Sequence, residues 1–373
     1  MKKITVLGAG MVGGVIATDL SKDYEVTLVD LNSECLNSIR GKANLETQVA
    51  DLSNSEEIRN VVKDADLVIG AVPGFMGFEM LKAVIEAGKN IADISFSEQN
   101  PMELNELAKT NGVTAIVDCG VAPGMSNFIL GYHNERMEVD SFVCYVGGLP
   151  VKRTLPFEYK APFSPIDVIE EYTRPARFVE NGKIVTKEAL TDSELLEFDE
   201  IGTLEAFNTD GLRTLLETIK VPNMKEKTLR YPNHIEKIKM LKEMGFFSTD
   251  SLTLKNGVKL KPLDFTSELI LPQWKLQPEE EEFTVMKIQV SGLENGNSKT
   301  YTYDLLDRFD KKTKTSSMAR TTGFTCSASA NLILKKLFTE KGVFPPELVG
   351  KNQKCFENVL SYLKNRNVNY ILS

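Results

Sequence analysis

The spacing of apolar positions changes about a third of the way along the chain. Over the first 120 residues, short apolar runs alternate with stretches at helical spacing. Ile4–Leu7, Glu25–Val29, 44–50, Asp66–Val72, 90–94 and 113–118 predict strands. Between them, 12–21, 33–40, 54–63, 76–87 and 101–110 predict helices. Strands buried on both faces and separated by helices make βαβ units with a parallel sheet. Right-handed crossovers then favour the doubly wound, Rossmann arrangement of an α/β protein.

Beyond residue 120 the pattern becomes α+β. Val139–Gly148 predicts a strand and 164–172 a helix. Ala176–Val179 and Lys183–Val185 flank Asn181-Gly182, a hairpin signal. Residues 210–219 and 234–244 read as helices. Phe283–Val290 and Lys299–Leu305 read as strands joined by the Gly/Asn-rich segment 292–297. Residues 316–336 carry small and apolar residues at helical spacing and are expected to cross back to the first domain. The expected division is a dinucleotide-binding domain over 1–122, completed by 318–373. An α+β substrate and oligomerisation domain then spans 123–317.

Composition narrows the function classes. The 373 residues suggest two domains or three, at about 150 residues each. With 42% hydrophobic and 26% charged residues, a mainly disordered or fibrous chain is excluded. A net charge of −8 argues against general nucleic-acid binding, which needs a basic surface. No run of 18 apolar residues occurs, and the start MKK leads into a β-type run without a signal-peptide core, so the expectation is cytoplasmic with no membrane partner. Five scattered cysteines without a CxxC and only two histidines give no expectation of a disulfide framework or a metal site. The acidic run Glu279–Glu282 reads as a solvated face.

The strongest chemical signal is Gly8-Ala9-Gly10-Met11-Val12-Gly13, between a predicted strand and a predicted helix. Gly8 allows a tight turn, Gly10 lets backbone approach a pyrophosphate, and Gly13 lets helix and strand pack closely. The helix N-terminus adds partial positive charge. Asp30 ends the second strand, where a carboxylate binds ribose hydroxyls and repels a 2′-phosphate. NAD is therefore expected over NADP. Ala71-Val72-Pro73 and Ser95 follow later strands on the ligand side of such a sheet.

Asp93 and Asp118 end two further strands and could hold a substrate ammonium or act as a base. Ser126 and Asn127 read equally well as helix caps, and Cys119 as structural. The second domain offers Tyr159, Lys160, Arg213, Arg230 and His234. Arginine grips carboxylates in a fork, and lysine or histidine can move protons.

GAGMVG, DCGVAPGMSN, VGGLP, EYKAPFSPIDVIEEYTRPARFVENGK and TLRYPNH together resemble the saccharopine dehydrogenase-like family, and within it the lysine 6-dehydrogenase branch. The likeness covers nearly the whole chain. It implies NAD-linked oxidation of L-lysine at the ε-carbon to the 6-semialdehyde and ammonia. Sister branches act on saccharopine or carboxylated polyamines, and a non-catalytic NAD-binding scaffold is the alternative from another class. EAFNTDG (205–211) resembles the lysine branch rather than the reductases. On this reading Arg213 and Arg230 bind the substrate carboxylate, with Tyr159 beside them. Asp93 and Asp118 meet the ammonium groups, and Lys160 or His234 is the base. The partner is a small amino-acid substrate, and a homodimer or higher homo-oligomer is the expected assembly.

Overall fold

Each apolar run near the N-terminus forms a strand because both faces are covered by helices. The computed structural model describes residues 1–41, 43–161, 165–277 and 280–373. In chain order the strands are β1 (Lys3–Leu7), β2 (Glu25–Asp30), β3 (Glu46–Val49), β4 (Leu67–Gly70), β5 (Ile91–Asp93), β6 (Thr114–Ile116), β7 (Glu138–Pro150), β8 (Ala176–Glu180) and β9 (Lys183–Lys187). They continue as β10 (Glu194–Phe198), β11 (Gly202–Asn208), β12 (Asn223–Arg230), β13 (Leu252–Thr253), β14 (Lys259–Leu260), β15 (Glu282–Glu294), β16 (Asn297–Arg308), β17 (Gly342–Phe344) and β18 (Ile371–Leu372).

Seven of these make a parallel sheet in the order β17-β6-β5-β4-β1-β2-β3, the doubly wound α/β arrangement the pattern predicts. Apolar side chains of β1 and β4 (Ile4, Val6, Leu67, Ile69) bury one face, and Leu7, Val29 and Val68 bury the other. The second sheet is mixed and follows the order β10-β11-β12-β7-β15-β16-β18, with the β8–β9 hairpin attached to β12.

The helix Ser317–Leu334 lies between the two sheets. It packs on the first helix, Met11–Leu20, and on β4 and β5, and also reaches β15 and β16. Its small residues permit this: a Cβ on Gly323 would press on Val12, Val15 and Ile16 of that helix. β17 then joins the first sheet, whereas β18, at the end of the segment assigned by sequence to the first domain, pairs with β16 of the second.

Several elements differ from the reading of the sequence. The predicted helix 210–219 is a loop followed by one turn, Leu215–Thr218, because Arg213 adopts a left-handed conformation (φ 48°). Within the segment 292–297 only Asn295-Gly296 turns; both have positive φ, and the strands run up to them on either side. β10, β11 and β12 carry too many polar residues to read as strands. Residue 164 of the predicted helix 164–172 lies outside the described residues, and the helix runs from Pro165 to Thr173.

The acidic run also departs from expectation. Glu279 lies outside the described residues, while Glu280 and Glu281 pair with Lys160 and Lys311. Glu282 is buried and accepts the amide of Ser317, and burial pushes its carboxyl up to about 8. Among the described residues, no helix is long and apolar enough to cross a membrane.

Candidate active site

The first part of the site is the turn from β1 into the helix Met11–Leu20. The amide of Gly8 donates to the Val29 carbonyl at 2.8 Å, with φ at 108°. A Cβ on Gly8 would strike the Ala71 carbonyl, and one on Gly13 the Gly8 carbonyl. These two glycines are therefore required by the protein's own packing. Gly10 differs: its backbone is ordinary (φ −67°), and a Cβ there would meet nothing within 4 Å. Its missing side chain leaves room for something outside the fold. No side chain caps the helix that starts at Met11, so the polar groups of its first turn remain available; Met11 is exposed and Val12 half-buried.

Asp30 sits beside this turn. Its carboxylate accepts the amides of Ala9 at 2.7 Å and Asn32 at 2.8 Å, one on each oxygen, so unshared lone pairs remain. Ala71 hydrogen-bonds Leu7 at 2.9 Å and closes the turn from the β4 side. Val72 is buried, and Pro73 precedes the helix Gly74–Glu86. These groups fit a nucleotide cradle: an open approach, free donors and an acidic rim.

The second part lies at the carboxyl ends of β5 and β6. Asp93 is buried and accepts the Ser95 amide at 3.0 Å. Gly70 makes its place, since a Cβ there would occupy the position of an Asp93 oxygen. Burial dominates its titration and pushes the carboxyl up to about 7; the nearby Asp118 adds to the rise, and Arg213 opposes it.

Asp118 is held differently. Arg213 donates to it from Nε at 3.1 Å and to the Ser97 carbonyl from a terminal nitrogen at 2.8 Å. The guanidinium lies 4.1 Å over the ring of Phe96. Both members of the pair are in the left-handed region, Asp118 at φ 53° and Arg213 at φ 48°. Such backbone costs about 1 kcal/mol or more for a residue with a Cβ. It brings loop 209–214 of the second domain against the end of β6. Three of the five N–H bonds of Arg213 stay uncommitted among the described residues.

The third part is β12, which sequence reasoning missed. Glu226, Lys227, Thr228 and Arg230 on this inner strand are all buried. Glu226 packs where Gly211 leaves room; a Cβ on Gly211 would overlap its carboxylate. Burial first, then the carboxylates of Glu171 and Asp210, push Glu226 up to about 8. Arg213 and Asp118 also lie within electrostatic reach of it. Buried charge on an inner strand was the available signal, but polar composition hid the strand itself.

Four sequence candidates are bonded to partners other than Asp93, Asp118, Arg213 and Glu226. Arg230 is not free for a substrate carboxylate: it donates to Tyr172 at 3.0 Å, Leu229 at 3.0 Å, Tyr159 at 3.3 Å and Glu171 at 2.8 Å. Tyr159 is buried beneath that guanidinium, 4.3 Å from it. His234 has both ring nitrogens engaged. The Phe157 carbonyl can only accept, so Nδ1 carries the proton, and Nε2 accepts from Tyr172, each at 2.9 Å. Burial, reinforced by Arg230, holds its pKa down at about 3, too low for a useful base. Lys160 pairs with Glu280 at 3.7 Å. Asn127 accepts the Gly124 amide and donates to the buried Glu347, with Ser126 bonded to it, and Cys119 is buried with its thiol on Ile116.

Comparison with known proteins places this geometry. Residues 4–116 match the family model "Saccharopine dehydrogenase NADP binding domain", and residues 120–368 match "Saccharopine dehydrogenase C-terminal domain". The chain belongs to the saccharopine dehydrogenase family. Within that family it is 29% identical over 194 residues to mouse (Mus musculus) alpha-aminoadipic semialdehyde synthase, covering 49% of this chain and 21% of the mouse protein. The chain thus spans about a fifth of the length of the first curated relatives it matches. Carboxynorspermidine synthase of Vibrio cholerae is 24% identical and matches over 92% of this chain and 91% of its own. Apo saccharopine dehydrogenase (L-Glu forming) from Saccharomyces cerevisiae shares the fold, with a TM-score of 0.83 at 17% identity, covering 100% and 99% of the two chains.

Proposed function

We propose that this saccharopine dehydrogenase family member is an NAD-dependent dehydrogenase that oxidises L-lysine at the ε-carbon. The products are the 6-semialdehyde, ammonia and NADH. The observation that carries the reading is the grouping of Asp93, with its carboxyl near neutrality, beside the Asp118–Arg213 pair at the carboxyl edge of the parallel sheet.

The cofactor, when bound, accepts a hydride at its nicotinamide ring. Gly8, Gly10 and Gly13, the free first turn at Met11 and Val12, and the wall Ala71-Val72-Pro73 with Ser95 are the groups assigned to hold it. Asp30 favours NAD by offering lone pairs to ribose hydroxyls and opposing a 2′-phosphate. The matching family model describes an NADP binding domain, whereas in this chain the Asp30 carboxylate stands at the glycine turn.

Only a neutral amine releases a hydride from its carbon, so the ε-ammonium must first lose a proton. Asp93 is assigned to take it, in place of Lys160 or His234, because its pKa stands near the working pH. Arg213 holds the substrate carboxylate with its uncommitted N–H bonds, and Asp118 fixes the guanidinium. Hydride loss leaves a substrate imine. Water adds to it, the C–N bond breaks, and ammonia leaves with a proton. Per turnover, lysine, NAD⁺ and water give semialdehyde, NADH, ammonium and one proton.

The full-length likeness to carboxynorspermidine synthase supports a second reading, dehydrogenation of a carboxylated polyamine at a secondary amine. NADH formation followed at 340 nm with L-lysine, saccharopine and carboxynorspermidine, together with an ammonia assay, decides between them. Lysine-dependent NADH with stoichiometric ammonia is expected. NADH from carboxynorspermidine alone moves the protein to the second reading, and silence with all three supports a binding scaffold.

A further inference from the structure

An acidic residue buried on an inner strand without a partner is costly as a carboxylate, so it either keeps its proton or meets a cation from outside the fold. Glu226 is such a residue. It is 6% exposed, and no group among the described residues hydrogen-bonds its carboxyl. Among the described residues, none of the cations around it hydrogen-bonds its carboxyl. Arg213 serves Asp118 and Ser97. Arg177 grips Asp210 with two bonds of 2.9 Å. Arg230 serves Glu171. Lys225 and Lys227, its strand neighbours, point to the opposite face and pair with Glu180 and Glu194.

The carboxylates of Asp118, Asp210 and Glu171 are thus paired with arginines, and Asp93 and Glu226 are not. The Asp118–Arg213 pair stands within electrostatic reach of both. Asp93 belongs to the sheet that carries the nucleotide cradle, Glu226 to the opposite sheet. A ligand that balances this arrangement has one carboxylate for Arg213 and two amines. A ligand with three carboxylates, such as saccharopine, brings more negative charge than the uncommitted N–H bonds of Arg213 can meet.

We propose that Glu226, seated against Gly211, is the specificity-determining residue that receives the non-reacting ammonium of a diamino monocarboxylic acid. For lysine this is the α-ammonium. The assignment rests on the proposed lysine chemistry only for which amine reacts; recognition of the second ammonium can be measured without turnover.

The test compares L-lysine with 6-aminohexanoate, which has the same carboxylate and reacting amine but no α-amine. Purified full-length protein is loaded with the dinucleotide, and wild type is set against Glu226→Gln. Where 6-aminohexanoate is not turned over, its inhibition constant against lysine is read instead. For lysine, kcat/KM is expected to fall about 30-fold or more, mainly through KM. The fall for 6-aminohexanoate is expected to be at least tenfold smaller. Equal losses on both ligands, or no loss on lysine, overturn the proposal.

Gly211→Ala keeps Glu226 but drives a methyl group into its carboxylate, and should reproduce the lysine-selective loss. Glu226→Asp should recover part of it. If Glu226→Gln fails to fold, these two variants carry the test. If wild type oxidises no amine, the proposed function falls, and calorimetric binding of the same two ligands decides the Glu226 assignment. A preference for lysine that Glu226→Gln abolishes sustains it, and no preference in wild type overturns it.

Discussion

The glycine turn after β1 and the strand β12 both line the candidate site, yet they are built on opposite principles. The turn works by removal. Gly8 and Gly13 lack side chains because the fold has no room for them, and Gly10 lacks one where the fold has room to spare. Strand β12 works by insertion, placing charged groups on an inner strand where apolar ones would be more stable. The first device is local in sequence, its three glycines falling within six residues. The second has meaning only when Gly211, Asp118, Arg213 and Glu171 arrive from elsewhere. On the proposed reading, one region binds what every member of a cofactor class shares, and the other sets what is selected.

The largest expected effect falls on the insertion side. Asp93→Asn should lower kcat for lysine oxidation by about 10³-fold, measured by NADH formation, while NADH binding by fluorescence titration stays within a few-fold. Retained activity would remove Asp93 from the role of base. Arg213→Ala should raise KM for lysine by about 100-fold, with a smaller loss for an amine lacking the carboxylate. Equal losses on both would break the carboxylate assignment.

The pH profile follows from the same groups. Asp93 must be ionised to take a proton, and Glu226 to hold an ammonium. kcat/KM for lysine should therefore climb between about pH 6 and 9, through values near 7 and 8. Stability should move the other way. Both carboxyls titrate higher in the folded chain than in the unfolded one. Their stabilising contribution is complete below about pH 4 and is lost as pH rises through 7 to 8. Glu226→Gln should then raise the melting temperature at pH 9 and leave it nearly unchanged at pH 4. A variant that is no more stable at pH 9 would mean that Glu226 is compensated by the protein itself.

The turn should show subtler effects. Asp30→Ala should narrow the ratio of NADP to NAD dissociation constants, expected at about tenfold or more in wild type. Equal affinities in wild type would dismiss the reading of Asp30. The smallest change is expected at His234. His234→Gln should lower the melting temperature by a few degrees, through its bonds to Tyr172 and Phe157, with kcat within about threefold.

The same contrast explains what the sequence could reveal. The doubly wound sheet and its glycine turn were legible because apolar runs and glycine spacing are local properties. The hairpins at Asn181-Gly182 and Asn295-Gly296 rest on two residues each, and Asn181-Gly182 turns where the pattern predicts it. β12 was not legible, because the residues that give it a function also disguise it as surface. Residues 210–219 read as one helix because the left-handed turn at Arg213 answers to Asp118, 95 positions earlier. Arg230 and His234 read from the sequence as a carboxylate binder and a base, but their partners Tyr159, Tyr172 and Glu171 hold them in a buried network.

The chain passes between the two sheets three times: after β6, into the helix Ser317–Leu334, and again before β18. A hinge made of one linker can swing freely, as a door does on a single pin. Three crossings at separate places act more like a dovetail. Cutting the chain at any one of them should leave the halves joined, and limited proteolysis should nick the protein long before it separates into pieces.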